Sequence, residues 1–315
     1  MPQPLWTPSS DQIANANITA FQRAVAERWD TPLADYTALH DFSINEPAKF
    51  WISVRDFCGA TAESWGERVL IDGDRMPGAL FFPDAKLNFA ENLLRRRDDT
   101  PAIIFQAEDR VSQQLSWREL YDAVSVLAQA LSDMGVGAGD RCAGFVPNMP
   151  GAIIAMLATT SLGAVWTSCS PDFGVRGVLD RFGQTEPKVL FTADGYFYNG
   201  KPQPSLARVA EFAAELPTVE KVIVLPLLTG MPDVSSVPNA ITLANFTAPY
   251  TPGDIDFVQM PFNSPLYIMY SSGTTGKPKC IVHGAGGVLL THLKEHILHC
   301  DVKPGDRVFY FTTCG

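Results

Sequence analysis

Short apolar runs alternate with segments of helical periodicity between residues 102 and 225 of this 315-residue chain. The apolar runs are typical of buried strands and occupy Ala102–Phe105, Arg141–Val146, Ala164–Thr167, Val189–Thr192 and Val222–Leu225. Helical segments separate most of them, at Gly151–Leu162, Gly174–Gln184 and Ser205–Glu215. Because parallel strands need such crossovers, the alternation predicts an α/β fold with mostly parallel sheets layered with helices.

One further helix carries explicit start and stop signals. Ser116 and Glu119 form a capping box, apolar residues follow at helical spacing, and Gly135 ends the pattern. Shorter helices are predicted at Ile18–Trp29 and Glu46–Phe57. Residues 226–264 are rich in turn formers, so we predict a long connection with little regular structure there.

The segment with the most specific chemistry lies at residues 270–279, which read YSSGTTGKPK. Glycines allow backbone amides to turn inward, hydroxyls add hydrogen-bond donors, and lysines add positive charge, which together suit a loop around phosphate. Pro265–Tyr270 before the loop and Cys280–His283 after it both read as buried strands. Strands on both sides argue against the alternative of a flexible Ser/Gly/Thr linker.

A Walker A loop is the other phosphate-binding alternative, and two positions exclude it. Ser271 stands where the first glycine of that motif belongs, and Pro278 follows Lys277 where a magnesium-binding Ser or Thr is required. Proline also disfavours helical geometry in the residue before it, so no helix can begin beneath the phosphates as it does in that fold.

Composition and charge exclude several classes of function. The chain is 46% hydrophobic and 18% charged with a formal net charge of −10, so it reads as a globular protein without the basic footprint of nucleic-acid binding. The longest apolar stretch, Gly151–Trp166, is interrupted by polar residues and is too short to span a membrane. The first residues lack a secretory signal pattern, so we expect a cytoplasmic location.

Six cysteines are scattered along the chain without a C-x-x-C pair. Several lie within apolar runs, so we predict that they are reduced core residues. The six are Cys58, Cys142, Cys169, Cys280, Cys300 and Cys314.

Residues 292–296 match H-x-x-E-H, the motif of inverted zinc peptidases, and offer a rival class of enzyme. On a helix, His292 and His296 of this motif would lie on one face, and His299 would extend the same face. Glu295 is the remaining residue of the motif. Leucines and isoleucines at helical spacing provide a buried stripe on the same segment, which favours a packed helix with flanking histidines. We therefore expect no metal site here.

The run at 270–279 resembles the phosphate-binding signature of the adenylate-forming, or AMP-binding, superfamily, whose pattern is [YF]-[ST]-S-G-[ST]-T-G-x-P-K. Weaker matches lie in the expected order at residues 115–120, 162–165 and 309–315. The resemblance implies the N-terminal part of the adenylate-forming synthetase fold. It divides the chain into residues 1–98, an N-terminal segment, and residues 99–315, the first part of an adenylation domain.

The N-terminal segment narrows the resemblance to one branch. Residues 86–94, KLNFAENLL, together with Phe50 and Trp51 upstream, are similar to the extra N-terminal segment of the acetyl-CoA synthetase branch. Within that branch, residues 169–174 and 280–287 resemble the acetoacetyl-CoA synthetases. Acetyl- or propionyl-CoA synthesis, and a nucleotide-binding fragment without turnover, are the alternatives.

The resemblance implies ligation of acetoacetate to coenzyme A through an acyl-adenylate, with ATP and Mg²⁺ held through the phosphates. It implies phosphate contacts from Ser271, Ser272, Gly273, Thr274, Thr275, Gly276, Lys277 and Lys279, with Lys277 as the catalytic residue that neutralises pyrophosphate. For Lys279, an alternative role is to cover the sheet edge. By analogy, Lys201 contacts a CoA phosphate, and His283, Cys314 and Gly315 border the acyl site. A packed core histidine and a solvated lysine are the structural alternatives for His283 and Lys201.

Adenine, ribose and acyl-transfer motifs of the superfamily lie downstream of the aromatic motif at 309–315. We therefore expect this chain to be an N-terminal portion whose partners are its own C-terminal portion and small-molecule substrates. The portion alone is expected to bind polyphosphate weakly and to form no thioester.

Overall fold

The computed structural model describes residues 4–108, 110–271 and 276–314. It divides into two compact units. The first contains the residues up to Lys86, together with Pro261–Asn263 and Gly286–Tyr310. The second contains Leu87–Met260, Ser264–Ala285 and the residues from Phe311 onward.

The regular elements up to residue 116 are mainly helices and short hairpins. They are α1 (Ser10–Asn15), α2 (Asn17–Trp29), α3 (Tyr36–Asn45), α4 (Pro47–Phe57), β1 (Leu70–Ile71), β2 (Leu80–Phe81), β3 (Lys86–Leu87), α5 (Phe89–Leu93), β4 (Pro101–Ala107) and β5 (Val111–Ser116).

From residue 117 onward, strands and helices alternate as far as β8, and beyond it several strands follow one another directly. The elements are α6 (Trp117–Asp133), β6 (Arg141–Phe145), α7 (Pro150–Ser161), β7 (Val165–Cys169), α8 (Val175–Thr185), β8 (Val189–Ala193), β9 (Gly195–Tyr198), β10 (Lys201–Pro204), α9 (Leu206–Ala213), β11 (Lys221–Leu225), β12 (Ala240–Thr242), α10 (Leu243–Thr247), β13 (Met260–Pro261), β14 (Pro265–Tyr270), β15 (Cys280–Gly284) and α11 (Ala285–Leu293). A π-helical stretch, Lys294–His299, follows α11 directly.

The first unit packs its helices around an aromatic and aliphatic core. Phe21 and Val25 of α2, Phe42 of α3 and Val54 of α4 are buried together with Leu298 of the π-helical stretch. Phe21 meets the rings of neighbouring phenylalanines edge to face, an arrangement that aromatic pairs prefer. This unit therefore has a hydrophobic core of its own.

The second unit, in its described part, is built on a seven-stranded sheet with the order β12-β11-β8-β6-β7-β14-β15. All neighbouring strands are parallel except β14 and β15, which are antiparallel. Side chains alternate between the two faces: Val189 and Phe191 of β8 pack with α6 and α7, whereas Leu190 packs with α8 and α9. This confirms the predicted mostly parallel α/β fold.

Strand register brings the carboxyl ends of the central strands to one edge of this sheet. Phe145 of β6 is paired with Cys169 of β7, and Leu225 of β11 is paired with Ala193 of β8. In such sheets, ligands bind in the crevice outside the carboxyl ends of the strands. The segments that follow these strands therefore form the region in which to look for a site.

Helix α6 shows how local signals fix an element. Ser116 accepts a hydrogen bond from the backbone of Glu119, and the Glu119 side chain accepts one from the Ser116 backbone, as the capping box predicts. Gly135 just beyond the helix has φ of 77°, the left-handed conformation that glycine adopts readily.

Both strands beside the loop are more exposed than the sequence predicts. In β14 only Leu266 is fully buried, and β15 is an edge strand of the described sheet with Ile281 47% and Val282 56% exposed. An apolar run does not distinguish a strand with neighbours on both sides from one with a single neighbour. The prediction that Cys280–His283 is a buried strand is therefore wrong.

Two further predictions need correction, and one element was not predicted. Residues 226–264 contain more structure than predicted, because β12 pairs with β11 and α10 follows it. The hairpin of β9 and β10 was missed. Cys58, Cys142 and Cys169 are buried as predicted, but Cys280 and Cys314 are half-buried and Cys300 is exposed, so Cys300 is not a core residue.

No helix among the described residues is long and apolar enough to cross a membrane.

Candidate functional site

The loop between β14 and β15 has its two ends joined by hydrogen bonds. The backbone N–H of Ser271 donates to the carbonyl oxygen of Lys279, and the N–H of Lys279 donates to Ser271 Oγ, both at 3.0 Å. These bonds hold the two ends of the loop at hydrogen-bonding distance. Four of the predicted phosphate-binding residues, Ser272–Thr275, lie outside the described part of the chain.

The described residues of the second half of the loop differ in exposure. Gly276, Lys277 and Lys279 are exposed to solvent, whereas Pro278 is buried. The carbonyl oxygen of Pro278 accepts a hydrogen bond from Nε2 of Gln184 on α8, at 2.9 Å. Exposure leaves both lysine ammonium groups able to meet an anion. Among the described residues, no side-chain partner of Lys279 distinguishes its two predicted roles.

Tyr270, the last residue of β14, is fixed from two sides. Its hydroxyl is hydrogen-bonded to Thr167 of β7 at 2.7 Å and lies 3.5 Å from the hydroxyl of Thr185 on α8. Burial raises the pKa of Tyr270 to about 12, and hydrogen bonds to the two threonines oppose that shift. A neutral, anchored phenol therefore sets where the loop begins.

Arg181 places a positive charge beside the same ring. Its guanidinium lies 4.2 Å from the ring centroid of Phe173 and 5.7 Å from that of Tyr270. Cations at such distances are attracted to the faces of aromatic rings. Gln184 and Arg181 were given no role by sequence reasoning, and only their tertiary contacts identify them, whereas Tyr270 is the first residue of the predicted phosphate-binding signature.

His283 and Cys314, two of the residues predicted to border the acyl site, have different surroundings. His283 is half-buried on β15, and its ring centroid lies 5.0 Å from that of Tyr267. His283 therefore packs against a neighbouring ring, as a core histidine would, but it is not fully buried. The Cys314 thiol donates to Oδ1 of Asn148 at 3.0 Å, and burial raises its pKa. Gly315, the third, lies outside the described residues.

A cavity of about 680 Å³ lies within the second unit, beyond the carboxyl ends of β6, β7 and β11. Its lining comes from two hairpins, three strand ends and the segment 311–314, and includes Phe105, Asn148, Asp172, Tyr196, Tyr198 and Cys314. Aromatic rings and a few polar groups are the usual lining of small-molecule sites. The position also follows the rule that ligands bind at this edge.

The hairpin of β9 and β10 carries Lys201. Asn199 and Gly200 both have positive φ, 52° and 73°, as a tight two-residue hairpin turn requires. The N–H of Gly200 donates to Oε2 of Glu108 at 2.9 Å, which joins the tip of this hairpin to that of β4 and β5. Lys201 is exposed at the turn.

The histidine segment offers no metal site in the described part of the chain. His292 and His296 have ring centroids 6.1 Å apart, and no described group of three or more His, Cys, Asp or Glu residues could hold a metal ion. From Lys294 to His299 the backbone is π-helical, which breaks the α-helical spacing on which the motif depends. Glu295 pairs with Lys294 instead. The zinc-peptidase alternative thus lacks its geometry.

A family model described as "AMP-binding enzyme" matches residues 89–315. The chain is 50% identical to an acetoacetyl-coenzyme A synthetase of Rhizobium meliloti (strain 1021), over 99% of this chain and 48% of that protein. It is 39% identical to malonamoyl-CoA synthetase vrtB of Penicillium aethiopicum, over 98% of this chain and 44% of that protein.

Among solved structures, an acetoacetyl-CoA synthetase from Streptomyces lividans matches with a TM-score of 0.92 and 46% identity. That match covers 100% of this chain and 48% of the solved one. The chain therefore spans about half the length of the curated relatives it matches.

Proposed function

The chain belongs to the family of AMP-binding enzymes, and from that premise we propose that it is the N-terminal portion of an ATP-dependent acid–CoA ligase that acts on acetoacetate. Residues 1–98 would form the N-terminal segment of this enzyme, and residues 99–315 the first part of its adenylation domain. We propose that the enzyme works in the cytoplasm.

The proposed reaction has two steps. A carboxylate oxygen of the acid attacks the α-phosphorus of ATP, and the bond to the leaving pyrophosphate breaks. The CoA thiolate then attacks the acyl carbon, and AMP leaves with the oxygen that came from the acid. Most of the catalytic effect in phosphoryl-type transfer comes from positioning and charge stabilisation, which a fixed loop can provide.

The loop residues would act on the β- and γ-phosphates. We propose that the backbone amides of Gly273–Gly276 surround these phosphates and that hydroxyls of Ser272, Thr274 and Thr275 assist. Lys277 would neutralise the charge that develops on pyrophosphate, and its exposure supports this role. Mg²⁺, held through the phosphate oxygens, would supply further charge neutralisation.

One observation carries the proposal: the ends of the loop are joined by two hydrogen bonds between Ser271 and Lys279. The loop is therefore anchored at a strand end, unlike a surface linker. Such an anchored loop, rich in glycine and hydroxyls, can present several amides to one anion.

The acyl substrate is inferred from the relatives. In both the acetoacetyl and the malonamoyl group, the third carbon, counted from the thioester carbon as the first, is also a carbonyl carbon. We propose that the whole protein selects short acids with this second carbonyl, acetoacetate first among them, over acetate and propionate. His283 and Cys314 are the described candidates for bordering the acyl group.

We propose that coenzyme A binds at the cavity between the two hairpins. Its aromatic lining suits stacking with the adenine ring, and Lys201 at the hairpin turn offers a charge for a phosphate.

The test is a measurement of carboxylate-dependent pyrophosphate release by the full-length protein with acetoacetate, malonamate, acetate, propionate and butyrate. We expect acetoacetate to give the highest kcat/KM. A preference for acetate or propionate would overturn the choice of substrate, and no release with any acid would overturn the ligase. The 315-residue chain alone is expected to form no acetoacetyl-CoA.

A further inference from the structure

Asp194 is a buried carboxylate directly after β8, and the proposed reaction gives it no role. Its Oδ1 accepts hydrogen bonds from the backbone N–H groups of Leu227 at 2.7 Å and Leu228 at 2.9 Å. Its Oδ2 accepts from the N–H of Thr229 at 2.8 Å and from its hydroxyl at 3.1 Å. Four donors therefore converge on one side chain.

The backbone of Asp194 fixes two more segments. Its N–H donates to the carbonyl oxygen of Leu225 at 3.1 Å, and its own carbonyl oxygen accepts from the N–H of Ser205 at 3.0 Å. Asp194 thus joins the end of β8 to the loop after β11 and to the start of α9.

Gly195, the next residue, allows these segments to come together. A Cβ atom at this position would lie 2.3 Å from Cδ1 of Leu228 and 2.5 Å from the carbonyl oxygen of Gln203. Only glycine fits without displacing backbone. Because β9 begins at Gly195, the position of the hairpin depends on this contact.

Of the segments that Asp194 joins, the loop after β11 lines the cavity, and so does the hairpin that begins directly after Asp194. Leu227 belongs to the loop whose amides it binds, and Tyr196, Phe197 and Tyr198 belong to the hairpin that starts beside it. At the far end of the hairpin, Glu108 accepts the hydrogen bond from Gly200. One carboxylate thus fixes the base of the hairpin and the other fixes its tip.

We propose that Asp194 and Glu108 are positioning residues for coenzyme A. They hold the β9–β10 hairpin and the loop after β11 in the positions that bind coenzyme A, and the rate of adenylation does not depend on them. This inference rests on the proposed function. Neither residue needs to contact the substrate, since misplacing a lining segment by about 1 Å can be enough to lower activity strongly.

Asp194 and Glu108 differ in how many of their hydrogen bonds an amide side chain of the same size can keep. In Asp194→Asn, one oxygen is replaced by an NH2 group, which must face N–H donors that have lost their acceptor. The single described hydrogen bond from Gly200 to Glu108 needs one acceptor oxygen, which Glu108→Gln retains and Glu108→Ala removes. The amide variant should therefore rescue function at Glu108 but fail at Asp194.

The experiment compares these variants in the full-length protein, with Asp133→Asn as a matched control. Asp133 accepts a hydrogen bond from the hydroxyl of Tyr250 at an exposed site outside the cavity lining, and asparagine can still accept it. Two activities are measured: acetoacetate-dependent ATP–pyrophosphate exchange, which needs no coenzyme A, and the KM for coenzyme A in thioester formation.

We expect Asp194→Asn to raise the KM for coenzyme A roughly tenfold and Glu108→Ala roughly threefold, with exchange rates within about twofold of wild type. Glu108→Gln and Asp133→Asn should match wild type.

If exchange and thioester formation fall together, or if the KM for coenzyme A is unchanged, the inference is wrong. If Asp194→Asn does not fold, the comparison of Glu108→Ala with Glu108→Gln decides. The inference is wrong if the two variants change the KM for coenzyme A equally or if neither changes it. Absence of exchange in the wild type would overturn the proposed function and, with it, this inference.

Discussion

Gln184 on α8 donates a hydrogen bond from Nε2 to the carbonyl oxygen of Pro278, 2.9 Å away in the loop between β14 and β15. This bond connects a helix to the part of the loop that carries Lys277. Because Pro278 is buried while its neighbours are exposed, it serves as the fixed point of the second half of the loop.

Replacement of Gln184 by alanine is expected to weaken ATP binding. Loss of one neutral hydrogen bond costs about 1 kcal/mol, so the KM for ATP in the exchange reaction should rise about fivefold. Gln129→Ala is the matched control, since Gln129 makes a similar bond to the carbonyl oxygen of Thr251 at 2.9 Å. Equal KM values in the two variants would show that the Gln184 bond does not support the site.

Replacement of Tyr270 by phenylalanine should change how stability depends on pH. The pKa of Tyr270 is raised from 10.0 to about 12 in the folded chain, chiefly by burial. The contribution of the neutral Tyr270 side chain to the free energy of unfolding is fully present below about pH 10. It is lost as the pH rises toward about 12, because this tyrosine ionises at lower pH in the unfolded chain than in the folded one.

The free energy of unfolding, measured with urea, should therefore fall more steeply with pH in the wild type than in Tyr270→Phe over that window, by up to about 1.4 kcal/mol per pH unit. Below it, the variant should be less stable by about 1 kcal/mol, since the bond to Thr167 is lost. Parallel pH profiles would contradict the buried, hydrogen-bonded phenol.

The cysteines should differ in their rates of alkylation. Burial raises the pKa of Cys58 to about 11 and those of Cys142 and Cys169 to about 12, whereas Cys300 is exposed. Thiolates are the reactive form, so iodoacetamide near neutral pH should modify Cys300 first and leave the three buried thiols unmodified until the chain unfolds. Peptide mass spectrometry reports the order, and Cys300→Ser should remove the fast phase. Early modification of Cys142 would contradict its burial.

Two adjacent glycines in α11 provide a test of packing in the first unit. A Cβ atom on Gly286 would lie 2.2 Å from the ring of Phe262, whereas one on Gly287 would meet nothing within 4 Å. Gly286→Ala should therefore lower the free energy of unfolding by about 1–3 kcal/mol, because the ring must move. Gly287→Ala should leave it unchanged or raise it by up to about 1 kcal/mol, since alanine favours helix. Equal effects would show that the contact with Phe262 is absent.

The central fold was accessible from sequence because its signals are local. The capping box at Ser116, the glycine at 135 and the apolar runs of β6, β8 and β11 each specify an element without reference to the rest of the chain. Alternation of those elements then leaves few arrangements other than a parallel sheet. The pattern at 270–279 identified the family for the same reason.

Features that depend on distant neighbours were missed. An apolar run such as Cys280–Gly284 has the same sequence whether it lies in the centre or at the edge of a sheet. The β9–β10 hairpin has strands of only four residues and begins with glycine, although Asn199 followed by Gly200 is a hairpin-turn signal that could have identified it. Asp194 could have been noticed as an acidic residue ending a buried strand, but its four donors come from residues far along the chain.

The central claim, that this chain is part of an enzyme that activates acetoacetate as an acyl-adenylate, can be tested by following oxygen. The full-length protein is supplied with acetoacetate labelled with heavy oxygen in its carboxylate, together with ATP and coenzyme A, and the products are analysed by mass spectrometry. If the carboxylate attacks the α-phosphorus, one labelled oxygen must appear in AMP and none in pyrophosphate. Label in orthophosphate or pyrophosphate, or unlabelled AMP beside newly formed thioester, would contradict the account.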